Sequence, residues 1–267
     1  SKDKIKWNIS EVYDPLDSKR DIRERSLRPC NEIDAFKPDR ILTAVRLSMQ
    51  LNADLPDFTL TKLARSCKRV PGVPYHLIKA ETDKIIRSPK YEEAIEILHG
   101  IGAIDALFPG RVMDAKKLFK RWFEETPPDF TVIMLKPDGV EKRLQVRMIK
   151  EMEEMGLDLA ARRRLILTPP KVSEIYPDIR NEWLIPKIVF HLTSGQCEAL
   201  LLIGKDALFK ARKYIGQTAL GERQPTGIRG KFADDFLRNI AHSPDSKTEL
   251  EITVKALFPE LVLPPKL

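Results

Sequence analysis

The hydrophobic pattern changes character at about residue 128. Before it, apolar residues recur at helical spacing; after it, short apolar runs alternate with helical stretches. From Asp39 onward, Ile41, Leu42, Val45, Met49 and, by a looser fit, Leu47 form one apolar face, with Arg40 and Arg46 on the polar side. Further helices are predicted at about 57–68, 76–87, 90–101 and 113–125, with breaks at Pro71-Gly72, Ser88-Pro89 and Pro109-Gly110. Tyr13 to Ser18 reads as a turn, and Ser18 to Arg28 is densely charged. Thr126-Pro127-Pro128 reads as a linker or a stiff junction.

Beyond that junction the first run, Phe130 to Leu135, is β-rich and ends at Lys136. Residues 141–156 show helical spacing through Leu144, Met148, Met152 and Met155, and Gly156 stops them. Leu157 to Leu167 reads as a second strand, and Pro169 or Pro170 opens a helix containing Tyr176. A helix at Trp183 to Leu192, a buried strand at Cys197 to Ile203 and a helix at Asp206 to Tyr214 follow. Residues 216–235 read as loop-rich, and Arg238 to His242 as a short final strand. The order βαββαβ, with extra helices, predicts a ferredoxin-like antiparallel sheet. The expected class is α+β: an all-α helical domain at 1–126, then the sheet domain at 129–267.

Composition narrows this little. The 267 residues suffice for two modest cores, and no apolar run reaches membrane-spanning length. Lys plus Arg outnumber Asp plus Glu by 46 to 39, a net charge of +7. That excess suits an anionic partner (nucleotide, RNA or acidic protein) and equally suits plain solubility. Cys30, Cys67 and Cys197 are too widely spaced for a zinc or disulfide pattern, which predicts a reducing, intracellular setting, with the mitochondrion one candidate. The chain begins at Ser1 without Met, as a fragment or processed product does.

The candidate chemistry centres on Arg238-Asn239-Ile240-Ala241-His242-Ser243-Pro244-Asp245-Ser246, where an apolar stretch delivers one histidine ahead of a polar turn. A neutral imidazole is a competent nucleophile near neutral pH. Upstream lie Lys136-Pro137-Asp138-Gly139-Val140 and Gly227-Ile228-Arg229-Gly230-Lys231-Phe232. Together the three segments resemble nucleoside diphosphate kinases over about residues 129–259. The resemblance implies His242 as the phosphate-carrying nucleophile. It implies a nucleotide site from Lys136, Tyr176, Arg212, Thr218, Arg229 and Asn239, with nucleoside tri- and diphosphates as substrates and Mg2+ arriving with the nucleotide. No protein-held metal is expected. The family's base-stacking aromatic aligns with Leu184, its ring-orienting Glu with Thr253, and Pro244 replaces the more usual Ser. The altered loop from Ala219 to Gln224 puts the family's usual hexamer in question and leaves open an oligomer or a subunit of a larger assembly.

The helical part carries its own resemblance. Tyr13-Asp14-Pro15 through Arg28-Pro29-Cys30, Phe36 to Arg46, Ser88-Pro89, and Ile104 to Gly110 resemble the neck of poly(A) polymerases and CCA-adding tRNA nucleotidyltransferases over about residues 8–110. Lys37 stands where that family has an acidic base-reading residue, so a donor replaces an acceptor, and Thr43 replaces a further Arg. The visible chain supplies none of the metal-binding carboxylates, so nucleotidyl transfer is not expected. Arg20, Arg23, Arg25 and Arg40 remain candidate RNA contacts. Three functions stay open: an active nucleoside diphosphate kinase, a structural subunit of an RNA-containing complex such as a mitochondrial ribosome, and a nucleotide-sensing module.

Overall fold

The structure is a computed structural model and describes residues 17–29, 38, 40–124, 129–177, 183–218, 227–261 and 263. The turn expected before Ser18, Cys30, Lys37, the Thr126-Pro127-Pro128 junction and the loop from Ala219 to Gln224 lie outside these residues, except for Asp17.

The first part is helical, as its pattern predicts. It runs through α1 (Ser18–Glu24), α2 (Arg40–Leu51), α3 (Asp57–Ser66), a 3-10 turn (Cys67–Gly72), α4 (Tyr75–Ile86), α5 (Tyr91–Gly100), α6 (Ala103–Leu107) and α7 (Ala115–Glu124). Helix α2 buries Ile41, Leu42, Ala44, Val45 and Ser48, so Leu47 and Met49 are flanking rather than central. Helix α7 buries Leu118, Phe119, Trp122 and Phe123, an i, i+1, i+4, i+5 stripe that makes one face wholly apolar.

That stripe joins the two parts. Trp122 packs on Phe130 with ring centroids 4.9 Å apart. Arg121 pairs with Asp158. The strand edge is also covered: Arg162 N–H donates to Gly110 O (2.9 Å) and Val112 N–H to Ala160 O (3.0 Å). Gly110 has φ +76°, and a Cβ there would stand 2.2 Å from Arg162 O, so only glycine fits this approach.

The second part contains β1 (Phe130–Leu135), α8 (Pro137–Glu141), α9 (Gln145–Glu154), β2 (Asp158–Ile166), α10 (Pro169–Ile175), α11 (Ile185–Thr193), β3 (Gln196–Ile203), α12 (Ala207–Ile215), α13 (Ile228–Phe232), β4 (Ala241–His242) and α14 (Lys247–Leu257). The sheet order is β2-β3-β1-β4, every pair antiparallel. This is the expected ferredoxin-like arrangement, and the chain is α+β. Strand β1 is buried on both faces, which explains its unbroken apolar run. Ile133 and Leu135 meet Met148, Met152, Ala207 and Ala211 on one side. Val132 and Met134 share the other core with Val172, Leu192, Val254 and the α7 stripe.

Two expectations are corrected. The helix opened at Pro169 stops at Ile175, so Tyr176 lies just past it, and a short helix, α13, sits in the loop-rich 216–235 segment. The final strand is only Ala241–His242, since positive φ at Ile240 breaks extended pairing just before it. A C-terminal helix, α14, follows; its Ser246-x-x-Glu249 start is a helix-capping signal, and Ser246 Oγ accepts Glu249 N–H at 3.1 Å.

Candidate active site

The eight residues proposed from sequence for this site converge on one pocket of about 290 Å3. Lys136, Tyr176, Leu184, Arg212, Thr218, Arg229, Asn239 and His242 all line it. Lys136 follows β1 and Tyr176 follows α10; Leu184 precedes α11, and Arg212 lies in α12. Thr218 follows α12, Arg229 sits in α13, Asn239 precedes β4, and His242 ends it.

Backbone strain sets the histidine. Ile240 has φ +77°, a rare conformation for a β-branched residue, and Ala241 N–H donates to Asn239 O across it at 2.9 Å. Three contacts hold this tight turn. Asp138 Oδ2 accepts Ile240 N–H at 2.8 Å, Lys136 N–H donates to Ile240 O at 2.9 Å, and the Ile240 side chain is fully buried. Gly139 permits the approach, because a Cβ there would lie 2.5 Å from Ile240 O. The other Asp138 oxygen meets His191 Nε2 at 2.9 Å. Burial opposes the Asp138 charge, but the hydrogen bonds from His191 and Ile240 outweigh it and lower its pKa.

Around the turn, Lys136 and Arg229 are each fixed by their own partners. Lys136 Nζ donates to Asn239 Oδ1 at 2.7 Å, and Asn239 Nδ2 donates to Phe236 O at 2.8 Å. Arg229 is buried; it donates from Nη1 to Gly216 O and Thr218 Oγ1, both at 2.9 Å, and from Nη2 to Ala241 O at 2.7 Å. The Tyr176 ring meets His242 edge-on at 4.9 Å, and burial raises its phenol pKa. Its buried Oη has no hydrogen-bond partner among the described residues, an unused donor at the pocket wall.

His242 is 5% exposed. Burial first, then the charges of Lys136, Arg229 and Arg212, push its pKa down to about 3, so the ring is neutral at physiological pH. Its Nε2 lies 3.4 Å from Thr253 Oγ1 and 3.6 Å from Glu249 Oε1. Burial raises the Glu249 carboxyl to about 7. A charged His–Glu pair is therefore not the resting state. The arrangement presents a neutral nucleophile among three cationic side chains, a chemistry suited to an incoming polyanion.

Phe236, Leu237, Ile188, Ser243, Asp245 and Glu249 also line the pocket and had not been singled out from sequence as site residues. Phe236 and Leu237 belong to an irregular stretch with no periodicity to reveal them. Glu249 carried a signal in the helix-capping spacing. Among the described residues no cluster of three His, Cys, Asp or Glu could hold a metal. The acids lining the pocket, Asp245 and Glu249, share it with Lys136, Arg212 and Arg229, a setting that suits a metal carried in on nucleotide phosphates. Arg20, Arg23, Arg25 and Arg40 lie away from this pocket, on or beside α1 and α2, and all four are exposed. Arg20 pairs with Glu24. No helix among the described residues is long and apolar enough to cross a membrane.

The sequence matches the nucleoside diphosphate kinase family over residues 129–262. It is 35% identical over 128 residues to the nucleoside diphosphate kinase of Methanothermobacter thermautotrophicus, covering 48% of this chain and 85% of that protein. It is 32% identical over 130 residues to nucleoside diphosphate kinase 1 of Glycine max, covering 49% and 87%. Among solved structures, the apo nucleoside diphosphate kinase of Encephalitozoon cuniculi is 32% identical, covers 51% of this chain and 92% of that one, and superposes with a TM-score of 0.48. The family match starts at residue 129 and lends nothing to the resemblance read over residues 8–110. By its sequence over residues 129–262, the chain belongs to the nucleoside diphosphate kinase family.

Proposed function

We propose that the chain moves the terminal phosphate of a nucleoside triphosphate to a nucleoside diphosphate through a covalent intermediate on His242. The observation that carries this reading is the buried, neutral His242 ring in one pocket with Lys136, Arg212 and Arg229. In the first half-reaction a ring nitrogen lone pair attacks the γ-phosphorus. The bond from phosphorus to the β,γ-bridging oxygen breaks, and its electron pair leaves with the nucleoside diphosphate. A second nucleoside diphosphate then attacks the phosphohistidine with its terminal phosphate oxygen, and the P–N bond breaks back to the ring.

The chain's residues serve this chemistry by position. Lys136, Arg212 and Arg229 offset charge spreading over the transferred oxygens. Thr218 and the Tyr176 hydroxyl supply further donors. Asn239, fixed between Lys136 and Phe236, faces the sugar and phosphate side. Leu184, Ile188, Phe236 and Leu237 offer an apolar wall to the base, with Leu184 in the place of the expected aromatic. Mg2+ enters on the nucleotide and supplies charge neutralisation there.

The test is steady-state kinetics with ATP and a second nucleoside diphosphate. Parallel double-reciprocal lines, with transfer of label from ATP to that acceptor, support the reading. Intersecting lines would mean direct transfer without a phosphohistidine and would overturn the reading, and binding without turnover favours the sensing reading instead.

For the helical residues we propose a supporting role, because Trp122, Arg121 and the Gly110–Val112 edge pack directly on the kinase sheet. The exposed Arg20, Arg23 and Arg25 favour a second reading, contact with RNA in a larger assembly. Reversing these three to Glu should flatten the salt dependence of RNA binding by roughly one unit of slope for each true contact. Unchanged binding at every salt concentration would remove that reading.

A further inference from the structure

We propose that Glu249 is the positioning residue of the His242 ring, accepting its Nε2–H and offsetting the positive charge the ring gains when Nδ1 takes the phosphate. The inference rests on the phosphohistidine reading above and names the residue that orients the ring within it.

The geometry comes from the first turn of α14. Glu249 N–H is fixed on Ser246 Oγ at 3.1 Å, and its Oε2 accepts Asp245 N–H at 2.7 Å. That second bond turns the carboxylate back toward the start of the helix, where negative charge is favoured. The other oxygen, Oε1, is left 3.6 Å from His242 Nε2. Thr253 Oγ1 lies 3.4 Å from the same nitrogen, one turn further along α14. Both groups crowd one edge of the ring. The Nε2 edge is therefore occupied, and Nδ1 is the nitrogen left to the phosphate.

Chemistry then assigns the two groups. Thr253 offers one hydroxyl and no charge. Once the Nδ1 lone pair bonds to phosphorus, the ring keeps Nε2–H and its positive charge rises. A carboxylate can accept that N–H and offset the charge; because the Glu249 carboxyl is raised to about 7, its proton leaves to solvent near neutral pH as the ring charge develops. Of the two acids at the pocket wall, Asp245 is exposed and only Glu249 lies within 4 Å of the ring. A distance of 3.6 Å is longer than a formed hydrogen bond, and catalytic contacts of this kind tighten in the loaded complex. Arg212 and Asp245 are the other charged groups acting on Glu249.

The experiment uses the full chain with ATP and Mg2+. It measures the single-turnover rate of phosphohistidine formation, the nucleotide Kd, and the His242 tautomer by 15N NMR. Glu249→Gln keeps the side-chain shape. It should slow phosphohistidine formation by at least about tenfold, as loss of the correct tautomer does elsewhere. The nucleotide Kd should stay within about threefold, and the ring should lose its single Nε2–H tautomer. Adding Thr253→Glu to Glu249→Gln returns a carboxylate to the same ring edge and should recover most of the rate. A Glu249→Gln chain that reacts at the wild-type rate with an unchanged tautomer would overturn the proposal and leave the phosphohistidine reading intact. A wild-type chain that forms no phosphohistidine would remove both.

Discussion

The Asp138 carboxylate accepts the backbone N–H of Ile240 at 2.8 Å and meets His191 Nε2 with its other oxygen at 2.9 Å. One buried side chain thus links the strained turn before His242 to helix α11. Positive φ at a β-branched residue costs about 1–3 kcal/mol and persists only where surrounding contacts over-determine it. Asp138→Ala would leave the Ile240 N–H and His191 without their partner, at about 1–3 kcal/mol for each buried group. We expect a lower Tm and slower phosphate transfer together. Asp138→Asn keeps one acceptor oxygen and should fall between. An unchanged Tm in Asp138→Ala would show that the turn holds without this carboxylate.

The pH dependence follows from His242. Its folded pKa of about 3 lies below the ordinary value of about 6.5. The unfolded chain therefore takes a proton that the folded chain refuses between those values. His242 withdraws stability as pH falls from about 6.5 toward 3, and is without effect above that window. Glu249 acts oppositely, because its raised carboxyl holds a proton when folded up to about pH 7. Unfolding of wild type and His242→Asn, compared from pH 7 to pH 4, isolates the histidine. The difference should shift against wild type by a few kcal/mol at most as pH falls. A constant difference would contradict the burial argument.

Arg229 donates to Gly216, Thr218 and Ala241 at once, so its planar fork matters as well as its charge. Arg229→Lys retains the charge but not these three directions. We predict at least about a tenfold loss in kcat/KM, the scale of one mispositioned donor, and a lower Tm. Activity within twofold of wild type would show that charge alone suffices.

Much of this was legible in the chain. Phe130–Leu135, the Met148 and Met152 helix and the Cys197–Ile203 strand follow from periodicity because burial on one or two faces leaves a regular mark. The pocket residues were legible through family spacing around Lys136, Arg229 and His242. What stayed hidden lacked a period. Helix α13 is a five-residue element amid Gly227 and Gly230, and Phe236 reaches the pocket from an irregular stretch. The strained Ile240 turn is fixed by Asp138, about a hundred residues away, which no local pattern reveals.

The junction between helices and sheet depends on Gly110. Gly110→Ala must meet Arg162 O at 2.2 Å with φ +76°. Backbone strain alone costs about 1–2 kcal/mol. A lower Tm is expected, with kinase kinetics retained below it, because the pocket lies on other elements. Loss of activity at temperatures where the variant is folded would show that the helical part acts on the site.

The central claim is that His242 itself carries the phosphate. The direct measurement is incubation of the full chain with γ-labelled ATP and Mg2+, followed by acid and alkali treatment and mapping of the label. We predict an acid-labile, alkali-stable label on His242 that a nucleoside diphosphate discharges, and no label in folded His242→Ala. Labelling of His242→Ala at the wild-type level, or a wild-type chain that binds nucleotide and takes no label, would contradict the account.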